Sequence, residues 1–338
     1  MAHTHCNAVK IDVGIMINIA IIGFGVVGSA TYYAATQNAG LIKERVGDSV
    51  KVKKIVDILD FENHPAPELL TKNFDDVMND PTISIVVETI GGLNPAYKFT
   101  KAALMGGKSV VTSNKELVAT HGLELTDIAK KNKVSYLFEA SVGGGIPIIR
   151  PLKQCLAANQ IEEIYGILNG TTNFILTMMR EEGKTFDEAL KEAQAKGYAE
   201  RDPTADIEGY DTGRKISILS WIAFGDLVEI ERIDRKGISK ITAKDIEKAK
   251  AAGSVIKLIG RAKLINGKVH CAVAPELIPL SDPLARVEGV YNAIVVKGNF
   301  VGDVMFYGQG AGGKATASAV MSDVIEIARH IAAHRKHA

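Results

Sequence analysis

The stretch from residue 17 to residue 37 limits the possible folds more than any other part of the chain. Residues 17–22 are an apolar run, followed at once by Gly23-Phe24-Gly25-Val26-Val27-Gly28 and then by a helical pattern to about residue 37. Strand, glycine turn and helix in that order give the GxGxxG spacing a physical meaning. The first glycine permits a tight turn, the second lets a pyrophosphate approach the backbone, and the third lets helix and strand pack closely. Dinucleotide phosphates would then rest on the helix N-terminus, where unpaired N–H groups and the dipole favour anions. A purely structural turn is the alternative for the same glycines.

The alternation continues, with strands expected near 50–58, 84–89, 109–111 and 134–138 and helices at 95–105 and 115–131. Strands and helices in turn predict an α/β fold, a Rossmann-type doubly wound parallel sheet. Asp57 closes the second strand, where such folds place an acid on the adenosine ribose hydroxyls. It follows Gly28 by 29 residues, more than the usual ~20, so a longer loop is expected near 40–49. No Arg or Lys directly follows Asp57 to meet a 2′-phosphate, which favours NAD over NADP.

A chain of 338 residues fits two domains, or one with a large insertion. Its net charge of +1 argues against a nucleic-acid footprint or a polybasic membrane surface. No apolar run approaches the ~20 residues that span a bilayer. Three widely spaced cysteines, Cys6, Cys155 and Cys271, suit neither a zinc knuckle nor a disulfide framework. A reducing, cytoplasmic compartment is expected. Residues 1–15 read as an N-terminal tail without a signal peptide, with Met16 a candidate start; His3, His5 and Cys6 read as part of a mobile tail, a metal site being the alternative. His330, His334 and His337 are read as fraying C-terminal residues.

The segment 197–215 concentrates acids, Glu200, Asp202, Asp206, Glu208 and Asp211, ahead of an apolar helix that begins with Lys215 on its early turns. Pro203 disfavours helix before it, so 200–204 is expected to be a loop, with Asp206 the N-cap of a helix running to about Phe224. Asp211 and Lys215 are four apart and share a face, and Glu200 can fold back over that face. An exposed pair of this kind contributes only ~0.3–0.5 kcal/mol. Here Ile216, Ile218, Leu219, Trp221, Ile222 and Ala223 cover nearly the whole circumference, so the helix is expected to be buried and its charges to have a task. A lysine held by carboxylates can give a proton to a developing alkoxide.

Between these regions, 139–147 is glycine-rich, a helix is expected over 148–158, a strand over 163–168 and a helix from 171. Thr185 and Glu188 form a capping box. Residues 240–306 read as a helix and a mostly antiparallel sheet with turns at Asn266-Gly267 and Gly298-Asn299. The glycine run 308–314 precedes the last helix and offers a second anion cradle that would pack back on the first domain.

Taken together, 23–28, 112–116, 139–147, 166–174, 197–215 and 308–318 resemble homoserine dehydrogenase, in the order and spacing of that family. The likeness covers nearly everything from Met16 onward. It implies an oxidoreductase that interconverts aspartate 4-semialdehyde and L-homoserine with NAD or NADP, on the route to threonine, isoleucine and methionine. By position, Lys215 matches the family's proton-transfer lysine and Lys115 a second lysine near nicotinamide and substrate. Glu200 and Asp211 match residues that hold homoserine. Glu139, with carbonyls of Val142, Gly144 and Ile146, matches a monovalent cation site for sodium or potassium. Gly312 matches a cofactor contact. The resemblance also implies a homodimer, with a dinucleotide-binding domain of 16–138 plus 314–338 and an α+β catalytic and dimerisation region of 139–313 inserted before the C-terminal helix. Because the chain stops at Ala338, it is expected to lack a C-terminal regulatory domain or fused aspartate kinase, and with it threonine feedback. Two other readings stay open. An aspartate-semialdehyde dehydrogenase would need a nucleophilic cysteine, which Cys155 suits poorly; a silent NAD-binding regulator would not need Glu200, Asp211 and Lys215.

Overall fold

A strand buried on both faces sends alternate side chains into two different cores. The structure, a computed structural model, describes residues 16–61 and 66–336; the 1–15 tail with His3, His5 and Cys6, and His337, lie outside the described residues. In β1 (Ile17–Ile22), Ile17, Ile19 and Ile21 enter one core while Ala20 and Ile22 enter another. The chain continues through α1 (Val26–Gln37), α2 (Ala39–Val46), β2 (Val50–Val56), β3 (Leu70–Thr71), α3 (Asp75–Met78), β4 (Ile83–Glu88), α4 (Ala96–Met105), β5 (Ser109–Thr112), α5 (Lys115–Lys131) and β6 (Tyr136–Leu137). These six strands form a parallel sheet in the order β3-β2-β1-β4-β5-β6, the doubly wound dinucleotide-binding arrangement. Side chains of α1 and α2 fill one face, and those of α4 and α5 the other.

The second half comprises α6 (Ile149–Lys153), β7 (Ile161–Ile167), α7 (Gly170–Glu181), α8 (Phe186–Ala195), α9 (Thr204–Ile207), α10 (Tyr210–Phe224), β8 (Asp234–Arg235), α11 (Ala243–Ala251) and the strands β9 (Ser254–Ile265), β10 (Lys268–Pro279), β11 (Tyr291–Gly298) and β12 (Gly302–Gln309). They build a second sheet in the order β12-β11-β7-β9-β10-β8, antiparallel except for the β8–β10 pair. The Asn266-Gly267 turn is left-handed at both residues, φ 49° and 74°, as a two-residue hairpin demands. The last helix, α12 (Gly313–Lys336), returns to the first sheet, where Val320, Val324 and Ala328 join the core of Ile19 and Ile21.

Three local expectations are corrected. Residues 39–46 are helix α2 rather than loop, because Ile42 and Val46, four apart, both pack inward before Gly47 ends the helix at φ 86°. Helix α6 stops at Lys153 instead of reaching 158; of the next five side chains only Leu156 is buried. Asp206 does not cap the long helix. The chain breaks at Gly209, φ 78°, so that Asp206 lies inside the short α9 and α10 starts only at Tyr210.

Helix α10 lies on β9 and β10 and ends at Gly225, φ 79°. Its contact with β9 depends on Gly260: a side chain there would come within 2.7 Å of Thr212 Cγ2 and 3.0 Å of Leu168 Cδ1. Gly260→Val is therefore expected to overpack the contact and destabilise the protein by about 1–3 kcal/mol. Urea unfolding reads this directly, and an unchanged midpoint would show that α10 does not need the glycine.

Candidate active site

The carboxyl ends of parallel strands all face one edge of the sheet, so the loops that leave them meet there. At the end of β1, Gly23 turns with φ 90° and gives its N–H to the Val56 carbonyl at 2.8 Å. A side chain on Gly28 would fall 1.9 Å from the Gly23 oxygen, so this glycine is what lets α1 approach its own turn. Gly25 differs: among the described residues, a side chain there would meet no atom within 4 Å and no side chain caps α1. The first-turn N–H groups beside open space suit a phosphate. Asp57 accepts the Phe24 N–H at 2.6 Å and the Leu59 N–H at 2.9 Å, which ties the glycine turn to the end of β2. Gly312, φ 108°, also borders open space, and Gly313 lies against the Val26 carbonyl and side chain. The two glycine loops are thus adjacent. These residues fit a dinucleotide: Gly23, Phe24, Gly25, Val26, Val27 and Gly28 would form the phosphate turn, and Asp57 would stand at the ribose end.

The second cluster gathers at the start of α10. Asp211 is 3% exposed and Lys215 8%. Lys215 Nζ donates to Asp211 Oδ2 and to the Leu168 carbonyl, both at 2.7 Å. Lys115, the first residue of α5, places its Nζ 2.7 Å from Asp211 Oδ1. Asn169 Nδ2 bridges the two acids, 2.8 Å from Asp211 Oδ2 and 2.7 Å from Asp206 Oδ1. Asn169 is itself fixed because its Oδ1 caps α7 by accepting the Thr172 N–H. The arrangement is a buried carboxylate shared by two lysines, with a second carboxylate one amide away.

Burial alone would push the Asp211 carboxyl up, but Lys215, Lys115 and Asn169 outweigh it and hold the group well below the usual carboxylate range. Burial pulls the Lys215 ammonium below the usual lysine range, with Asp211 opposing and the charge of Lys115 adding to the shift. Lys115 goes the other way, raised chiefly by Asp211. The Asp206 carboxyl is raised by burial and by the neighbouring Asp211. Of the two lysines, Lys215 is therefore the one whose proton is more easily given up.

Glu200 sits on the loop between α8 and α9, with its side chain exposed and its carbonyl accepting from Gln194 Nε2. Among the described residues, no hydrogen bond or ion pair links its carboxylate to the Asp211 cluster. Glu139 is buried at the crossover between the sheets. Its carboxylate accepts the N–H groups of Ile148, Ile149 and Arg150 at 2.6, 2.8 and 2.7 Å, holding the start of α6. Its own N–H goes to Asp323 Oδ2 at 2.8 Å, and Asp323, pushed up to about 7 mainly by burial, also pairs with Arg150. Among the described residues, no group of three or more His, Cys, Asp or Glu is placed to hold a metal. A cation near Val142, Gly144 and Ile146 would thus depend on main-chain carbonyls. Gly144 comes close to the Gly310 carbonyl, so this turn touches the closing glycine loop.

Two participants were not expected from the sequence, Asn169 as the bridge and Asp206 as its second acceptor. The helix-capping pattern at Asn169-Gly170-Thr171-Thr172 was visible, but its partners lie 37 and 42 residues away. No periodicity signals a contact of that separation.

Sequence profiles described as the NAD-binding domain of homoserine dehydrogenase and as homoserine dehydrogenase match residues 23–139 and 147–325. The homoserine dehydrogenase of Corynebacterium glutamicum is 44% identical over 324 residues, which is 94% of this chain and 73% of that protein. The crystal structure of the Thiobacillus denitrificans homoserine dehydrogenase superposes with a TM-score of 0.90 at 44% identity, covering 94% of this chain and 74% of that one. A hyperthermophilic archaeal homoserine dehydrogenase solved with NADPH superposes at 0.78 with 32% identity, over 93% and 98% of the two chains. Both profiles, relatives more than 40% identical over most of the chain, and the shared two-sheet fold lead to one conclusion: the chain belongs to the homoserine dehydrogenase family.

Proposed function

We propose that this chain interconverts L-homoserine and L-aspartate 4-semialdehyde, and that the observation carrying this is Lys215, buried and shared with Lys115 through Asp211, on the same sheet edge as the open glycine turn. The nicotinamide cofactor, when bound, supplies or takes up the hydride. In reduction Lys215 as ammonium donates a proton to the oxygen on which negative charge grows; in oxidation the neutral amine accepts it. Asp211 keeps Lys215 aimed and, with Glu200, holds the substrate's amino and hydroxyl groups. Lys115 adds positive charge beside the reacting oxygen. The thioester alternative rested on Cys155, which lies exposed just past the end of α6, outside the Asp211 cluster; Cys271, the other described cysteine, is buried with its thiol pushed up to about 11, away from the thiolate such chemistry needs.

Four finer points belong to the same proposal. Asp57, with no base after it, favours NAD, although the archaeal relative was solved with NADPH. A sodium or potassium ion near the crossover would take the carbonyls of Glu139, Val142, Gly144 and Ile146, since the Glu139 carboxylate is engaged by three N–H groups. A homodimer is supported by the apolar side chains exposed on the second sheet, among them Tyr291, Met305 and Tyr307. A cytoplasmic location accords with the sparse, unpaired cysteines and with the lack, among the described residues, of a helix long and apolar enough to cross a membrane.

Lys215→Ala is expected to lower kcat by ~10²–10⁴-fold or more while nicotinamide binding, followed by fluorescence, stays near wild type. Substantial residual turnover would remove Lys215 from its role. Because the neutral amine is needed for homoserine oxidation and burial lowers the Lys215 pKa, that activity should rise with pH to a midpoint below the ~10.4 of a free lysine. A limb at or above the free-lysine value would contradict the assignment. Side-by-side kinetics should give NADH the higher kcat/KM, and a strong NADPH preference would refute the inference from Asp57.

A further inference from the structure

Glu88 ends β4 and is 0% exposed, yet the proton transfer described above makes no use of it. Three donors converge on its carboxylate. The Ile90 and Gly91 N–H groups reach Oε1 at 2.7 and 3.4 Å, and the Thr112 hydroxyl reaches Oε2 at 2.5 Å. Thr112 Oγ1 in turn accepts the Asn114 N–H at 2.9 Å. Asn114 caps α5 through the Leu117 N–H and returns its amide to the Gly92 carbonyl at 2.6 Å. Lys115 is the next residue. On the other side, the Thr89 hydroxyl donates to the Gly23 carbonyl at 2.7 Å. The glycine turn, the 90–92 loop and the start of α5 are therefore joined around one buried acid. Among the described residues, side chains at Gly91 and Gly92 would meet no atom within 4 Å, which leaves the outer side of that loop open. Burial pushes the Glu88 carboxyl up while the Thr112 hydroxyl, the Ile90 and Gly91 N–H groups and the Asn114 side chain oppose, so the group is held by directed hydrogen bonds rather than by a countercharge.

We propose that Glu88 is a positioning residue that holds the 90–92 loop, as a wall for the nicotinamide end of the cofactor, in register with Lys115. The inference rests on the roles proposed above for the glycine turn and Lys115. Its two branches are separable. The Oε1 branch orders the loop, and the Oε2 branch through Thr112 and Asn114 orders the lysine.

Glu88→Leu removes both branches, Glu88→Gln keeps an oxygen for the loop, and Thr112→Val removes only the second branch. NADPH and NADH dissociation constants from fluorescence titration, measured beside kcat and thermal unfolding, give the test. The expected pattern is cofactor binding weaker by about 10-fold or more in Glu88→Leu, within about 3-fold of wild type in the other two, and kcat lowered about 10-fold in Glu88→Gln and Thr112→Val. Wild-type cofactor affinity in Glu88→Leu, equal weakening in Glu88→Leu and Glu88→Gln, or wild-type kcat in Thr112→Val would overturn the proposal. If Glu88→Leu does not fold, the split between affinity and kcat in the other two variants decides. Failure of the wild-type protein to oxidise homoserine would defeat the activity, whereas the affinity comparison of the Glu88 variants still reads the positioning.

Discussion

A carboxylate as buried as Asp211 stays ionised only if partners replace the water it has lost, and its partners come from three parts of the chain. Lys215 stands one turn later on the same helix, Asn169 caps α7 of the second half, and Lys115 opens α5 beside the parallel sheet. Removing one partner of a buried pair typically costs ~3–5 kcal/mol, because a charge is left unmatched. The same contacts that keep Asp211 charged therefore hold the two sheets in one relative position. Packing reinforces them. Trp221 of α10 stacks on Phe138 with ring centroids 5.5 Å apart, and Gly122 leaves room for the indole. Helix α10 acts as a wedge whose charged end carries the Asp211–Lys215 cluster and whose apolar end is core.

Buried acids recur as loop organisers around this centre. Glu88 gathers main-chain N–H groups after β4, Glu139 gathers three at the start of α6, and Asp323 receives the Glu139 N–H from α12. Each takes donors that a buried loop would otherwise leave unsatisfied, a loss of about 1–3 kcal/mol apiece. The arrangement suits a site built from loops, since loops at a sheet edge have no ladder to satisfy their N–H groups. Around Glu88 it also joins Gly23, through Thr89, to the start of α5, through Thr112 and Asn114.

Much of the fold was legible because it rests on local rules. The apolar run of β1, the length of α5, the capping box at Thr185 and the Asn266-Gly267 turn each follow from a few neighbouring residues. The misjudged elements were those where a weak local pattern met a strong tertiary one. Helix α2 shows only two inward side chains, α6 lost its last turn for want of burial, and Gly209 split a helix that the charge pattern made look continuous.

The amino-acid sequence by itself determined the strand–glycine–helix entry, the alternation that winds a parallel sheet, the pairing of Asp211 with Lys215 and the family to which the chain is similar. These depend on spacings of a few residues, which backbone geometry converts directly into shared faces and turns. The meeting of Lys115 with Asp211, the Asn169 bridge to Asp206, the capping of α6 by Glu139 and the ring around Glu88 were decided only by tertiary structure. Lys115–Asp211 and Asn169–Asp206 join residues far apart in the chain, the Glu139 and Glu88 contacts join nearer ones that no periodic pattern assigns, and what selects all of them is the need of buried charges and buried N–H groups for a partner once water has been excluded.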